Sequence, residues 1–211
     1  LWFSPATGIM WIQTDDGDVL IDVSGTLTIN QTINTRDAAD TADVRLIADG
    51  TISQAAAGVI TTDALGARQQ SSSAGNITLD DNNDVNTFAA FNAFASGSIT
   101  LQDTDGFVVG TVAAQTIGGC TFTATTGVSG AANLELCTTT GDISITSLIS
   151  ATGTVRLQTG GGTVTQTAAI NAGNLGVRAS GNIDLDSVTN NVTGTLAAAS
   201  SGTGYVEFQD N

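Results

Sequence analysis

A glycine followed by apolar residues two and four positions later recurs along the chain: Gly25 (Leu27, Ile29), Gly75 (Ile77, Leu79), Gly97 (Ile99, Leu101), Gly118 (Cys120, Phe122), Gly141 (Ile143, Ile145), Gly181 (Ile183, Leu185) and Gly204 (Val206, Phe208). Gly50 and Gly162 keep the first apolar position, Ile52 and Val164, and place glutamine, Gln54 and Gln166, at the second. Successive anchors are 25, 25, 22, 21, 23, 21, 19 and 23 residues apart. A beat of this length is the mark of a repeat architecture, in which each lap covers the apolar face of the one before.

Each lap holds further alternating stretches. A second pair precedes some anchors (Val44/Leu46, Leu134/Leu136, Val155/Leu157, Leu175/Val177), and a third apolar point follows: Val59, Val85, Phe107, Val128, Ile149, Ile170 or Val192. Period-2 alternation sends one set of side chains inward and the other to water. The spacing therefore predicts an all-β chain: a single parallel β-helix with three short strands per turn and about nine to ten rungs of 19–25 residues. A β-sandwich also has evenly spaced strands, but nothing makes it return to one glycine-centred pattern nine times. On this reading Leu27, Ile52, Ile77, Ile99, Cys120, Ile143, Val164, Ile183 and Val206 stack in one inward column, and no lap carries a long insertion. Residues 17–211 form the solenoid; residues 1–16 form an aromatic segment that caps the first rung or contacts another subunit.

Of the 211 residues, 20 are acidic and five are arginine, with no lysine or histidine, so the formal charge is −15. The arginines are scattered in sequence, which leaves no basic footprint for nucleic acid or an anionic membrane surface. No apolar run is long enough to span a bilayer as a helix. A lone proline, Pro5, permits long unbroken ladders. The opening "LWFSPATGIMWIQ" lacks the charged start of a secretory signal, which fits a signal already removed or a piece of a larger protein.

The stretch "VTQTAAINAGNLGVRASGNIDLDSVTNNVTGTLAA", Val164 to Ala198, resembles the repeats of filamentous-haemagglutinin-type bacterial exoproteins and adhesins, and the likeness extends over about residues 17–211. The resemblance implies a right-handed parallel β-helix, an extracellular location at the bacterial cell surface and a role in adhesion, with a host receptor, surface receptor or glycan as partner.

Parallel β-helices also include carbohydrate-active enzymes, whose sites need clustered carboxylates with a basic group or metal. Here the carboxylates fall in turns such as "DDNND" and "DTDG", where solvated turn residues are the ordinary explanation. The expectation is therefore no enzyme and no cofactor. Calcium is the one ion these turns would suit, through Asp80, Asp81, Asp103, Asp105 and Asp186. Outward positions rich in threonine, such as Thr26/Thr28 and Thr163/Thr165, resemble ice-binding solenoids, although threonine is also a good exposed strand residue. Cys137 falls beside outward Gln158 and Arg178, and Cys120 in the inward column, so a disulfide between them requires a corner. The same alignment sets Glu135 next to Arg156 as a cross-strand ion pair.

Together these features predict a secreted structural protein, a segment or self-assembling subunit of an extracellular fibre or surface adhesin; a carbohydrate-active β-helix or an ice- or calcium-binding solenoid is the alternative. The candidate assembly interface is Trp2, Phe3, Met10 and Trp11 at one end and Tyr205 and Phe208 at the other, joining copies head to tail or one repeat to the next in a longer chain. Neither nucleic acid nor membrane insertion is expected.

Overall fold

A computed structural model describes residues 12–13, 17–36 and 41–211, and all regular structure among them is β-strand. The chain winds about nine turns of a three-sided parallel solenoid. The first face carries Leu27–Ile29, Ile52–Gln54, the start of Ile77–Asn92, Ser98–Asp103, Asn133–Thr138, Thr154–Thr159, Asn174–Ala179 and Leu196–Ser200. The second runs from Ile12–Gln13 through Ile33–Asn34, the start of Ile60–Gln69, the middle of Ile77–Asn92, Phe107–Val109, Ile143–Ile145, Val164–Gln166 and the start of Ile183–Val192 to Val206–Asp210. The third begins with Val19–Val23 and Val44–Ala48, takes in the ends of Ile60–Gln69 and Ile77–Asn92, and continues through Val128–Ser129, Ile149–Ser150 and Ile170–Ala172 to the end of Ile183–Val192.

The register explains why alternation was so regular. Inward side chains stack like on like: Leu27, Ile52, Ile77, Ile99, Leu134, Val155, Leu175 and Leu196 follow one another down the first face. Phe107, Ile143, Val164, Ile183 and Val206 form a second column on the second face. All but the last member of each are buried, and Phe88 meets Phe107 edge to face at 6.3 Å between ring centroids. The single column expected from the sequence is thus two. Both corners are written Gly-x-apolar-x-apolar, and the pattern passes from one corner to the other between Gly97 and Gly141.

What lies between is the insertion that the sequence concealed. Along the first face the step from Ile99 to Leu134 is 35 residues, against 20–25 elsewhere. The excess is an antiparallel hairpin in which Thr111–Val112 pairs with Thr125–Thr126 and Gln115–Ile117 with Cys120–Phe122. Its tip is the two-residue loop Gly118–Gly119, with φ of 61° and 91°. Positive φ at both central residues is what a tight hairpin turn requires, and glycine supplies it without a Cβ clash. Cys120 therefore sits beside Ile117 in the hairpin and not in the inward column.

Corners leave inward backbone amides without a strand partner, and polar side chains take them up, buried ones at Asn83, Asp103 and Asn190. Asn83 Oδ1 accepts from Ile60 N at 2.9 Å, and Asp103 Oδ2 from Val85 N at 2.9 Å. Over a hundred residues later Asn190 Oδ1 accepts from Ile170 N at 2.9 Å, and Asp210 Oδ1 from Val192 N at 3.0 Å. Each series starts from one of the two anchor glutamines. Gln54 Nε2 donates to Asn83 Oδ1 at 2.6 Å, and Gln166 Nε2 to the Val188 carbonyl at 2.8 Å. The same Gln, Asn, Asp succession is thus used twice, first between the first and second faces and then between the second and third.

Candidate functional site

Three surface features distinguish this solenoid from a plain stack. The first is the hairpin, which folds onto the outward side of the third face. Val112 and Phe122 pack with Leu20, Ile47, Ala64 and Ala89 in a second apolar cluster outside the solenoid wall, and Ile117 and Cys120 border it. The outward side chains of four successive turns are covered in this way. At Gly66 the approach is so close that a Cβ would lie 2.5 Å from Phe122 Cζ. Polar anchors flank the cluster. Arg45, almost fully buried, donates from Nε to the Ala113 carbonyl at 3.1 Å and pairs with Asp18 at 3.1 Å and Asp43 at 2.6 Å. Arg68 donates to Thr125 Oγ1 at 2.9 Å and lies 5.1 Å from the centroid of the Phe91 ring.

The second feature is the set of acidic turns. Asp103 is fully buried and accepts three backbone amides, Val85 at 2.9 Å, Asp105 at 3.1 Å and Gly106 at 2.8 Å. Burial pushes its carboxyl up to about 6, and those hydrogen bonds oppose the rise. Its oxygens are thus committed to the backbone. Of the five aspartates considered for calcium, Asp186 alone joins a carboxylate cluster among the described residues, and its partners are Asp184 and Glu207. The candidate ligand oxygens of these three lie within 4.8 Å of one another. The sequence did carry the signal, because Asp184 and Glu207 occupy the same position, three after the anchor glycine, in consecutive laps. Tyr205 stands at the same edge, where partial desolvation, followed by the charges of Asp184 and Glu207, pushes its phenol above the usual value.

The third feature is the final turn. Leu196 is 39%, Tyr205 47% and Val206 44% exposed, while Phe208 is partly buried against the core. Tyr205 N donates to Asn182 Oδ1 at 3.3 Å, so the strand is in register even where its side chains are open. Of the six candidate assembly residues, Tyr205 and Phe208 are placed here. Trp2, Phe3, Met10 and Trp11 lie outside the described residues.

Other expectations resolve on the outer walls. Thr28, Ser53, Thr78 and Thr100 form a four-turn outward ladder, with Thr28 Oγ1 and Ser53 Oγ 3.3 Å apart, but the next rung places Glu135 in that column. Cys137 does stand beside Gln158, and Gln158 beside Arg178. The two cysteines are free, with Cys120 in the hairpin over the third face and Cys137 on the first. Burial, then the Glu135 charge, push the Cys137 thiol above its ordinary value. Glu135 is the register neighbour of Arg156, as expected, yet the two form no ion pair: side chains that point away from the wall need not meet because their backbones do.

These features define a three-sided parallel β-solenoid with an inserted, docked hairpin. Compared with known proteins, the chain matches no family model, no curated protein and no solved structure.

Proposed function

We propose that the chain is a segment or self-assembling subunit of a secreted bacterial surface fibre or adhesin, with a mechanical rather than a catalytic task. The observation that carries this reading is the continuous strand register, in which the three walls bond each turn to the next along the whole described solenoid. Such a rod resists extension because neighbouring turns are held by many parallel hydrogen bonds at once. The resemblance to filamentous-haemagglutinin-type repeats points the same way.

The test is surface labelling of intact producing cells with antibody raised against this chain, combined with electron microscopy of released material. The expected outcome is label on extracellular rods with an axial repeat of about 4.8 Å, the strand spacing. Label confined to the cell interior, or globular particles without that repeat, would overturn the reading.

A further inference from the structure

Of the five arginines, three are engaged within the molecule. Arg36 pairs with Asp84 and donates to Asn86 Oδ1 and the Thr62 carbonyl, each at 3.0 Å; Arg45 and Arg68 anchor the hairpin. The other two, Arg156 and Arg178, are exposed and make no hydrogen bond or ion pair among the described residues.

Sequence separates these two by 22 residues; the solenoid brings them together. Arg156 lies on Thr154–Thr159 and Arg178 on Asn174–Ala179, adjacent strands of the first face, with Arg156 opposite Gly176 and Gln158 opposite Arg178. They sit on a diagonal one rung and two residues apart, so their Cα atoms are about 8 Å from each other. The floor beside them is low, because Gly176, Ala197 and Ala199 carry the outward positions of the next strands. Next to Arg178 is a shallow hollow whose lining includes Gln158, Ala199 and Ser201. In a chain of net charge −15, this is a cationic pair on an outer wall, with Glu135 on the rung before Arg156 as its register neighbour.

Its complement exists on the same molecule. Asp184, Asp186 and Glu207 lie on or beside the outward side of the second face, crowded together and without a cationic partner. Guanidinium forks suit paired carboxylates. The two patches occupy different faces, so they cannot neutralise each other within one copy. An extended polyanion laid along the first face would meet Glu135 and the chain's general negative field within a Debye length of about 8 Å. A compact carboxylate group presented by an edge can instead seat over the low Ala197 and Ala199 positions, on the side of the arginines away from Glu135.

We propose that Arg156 and Arg178 dock the Asp184, Asp186 and Glu207 edge of a second copy, so that copies associate side by side. The contact joins two different patches and is therefore heterologous, continuing from copy to copy rather than stopping at a pair of identical surfaces. It concerns the walls and not the ends, and does not rest on end-to-end stacking.

The experiment uses the full chain in sedimentation equilibrium and electron microscopy. Near 0.15 M salt, where general repulsion is screened but close pairs persist, the wild type should associate laterally with rising concentration; near 1 M, where the Debye length falls to about 3 Å, it should return to single width. The double variant Arg156→Glu with Arg178→Glu, and separately Asp184→Arg with Glu207→Arg, should each lose lateral association while keeping the wild-type β-sheet circular dichroism. Mixing the two should restore it, because each then presents the complement of the other. Lateral width unchanged in either variant, no restoration on mixing, or a wild type that never widens would overturn the proposal. So would retention of the wild type on immobilised polygalacturonate that Arg156→Glu with Arg178→Glu abolishes while width is unaffected, since the patch would then serve an acidic polysaccharide. Rods that lengthen without widening would defeat the wall contact and leave the shaft reading intact; laterally associated single rods absent from the cell surface would do the reverse.

Discussion

Asp103 shows how one residue can set a pH response for a wall. It is buried, carries a carboxyl raised to about 6, and holds three backbone amides at the corner where Ser98–Asp103 gives way to Phe107–Val109. A folded-state value above the ordinary 3.8 means that the native state binds the proton more tightly than the unfolded chain does. This contribution is fully present below about pH 4 and is lost as pH rises through about 6. Urea midpoints should therefore carry a component that declines between pH 4 and 6. Asp103→Asn should remove that component and also cost about 1–3 kcal/mol above about pH 6, because its amide NH2 must face a backbone N–H where a carboxylate oxygen accepted one. A midpoint profile identical in both proteins across that window would refute the assignment. Asn83 and Asn190 need no such compromise, since each accepts with Oδ1 and donates from Nδ2 to a carbonyl of the following turn, Gln102 at 3.1 Å and Gln209 at 3.0 Å.

At the scale of elements, the hairpin is the part whose removal should be felt without loss of the solenoid. Phe122 fills the space above Gly66, and that contact tolerates no Cβ. Gly66→Val should push the hairpin off the third face, and Phe122→Ala should cost roughly 3–5 kcal/mol of docking as a large buried aromatic is deleted. Limited proteolysis should then cut within residues 111–126 at least tenfold faster, with the far-ultraviolet spectrum of the walls unchanged; equal cleavage rates would show that the hairpin is not held by this cluster. The same hairpin marks where the sequence stopped being legible. Inward residues such as Ile52, Ile99 and Ile143 were readable because strand alternation and burial follow the same period. The assignment of Gly118 was not, because "GGCTF" imitates the beginning of a lap and lies 21 residues from Gly97. Nothing local separates a strand that pairs in parallel with a distant turn from one that pairs with its own neighbour across two glycines. The acidic edge is half legible: Asp186 reads as a turn residue suited to calcium, whereas its proximity to Asp184 and Glu207 depends on the register of the last two turns.

The whole molecule behaves as a one-dimensional stack, so a defect should spread only as far as its neighbours. Ile143 lies buried between Phe107 and Val164. Ile143→Asp places an unpaired carboxylate there at a cost of several kcal/mol. Hydrogen exchange should accelerate at Phe107–Val109, Ile143–Ile145 and Val164–Gln166, while Val44–Ala48, three turns away and braced by the hairpin, keeps its protection. Uniform loss across the chain would mean that the solenoid melts as one unit and the nearest-neighbour picture fails.

The direction of the hairpin's dock has a consequence for the order of assembly. Every residue of the outer cluster that receives it, Leu20, Ile47, Ala64 and Ala89, precedes it in the chain. A polypeptide emerging amino end first therefore presents all four turns beneath before residues 111–126 appear. The latch is complete in parts at that point, so closing it over the earlier coils requires none of the later ones.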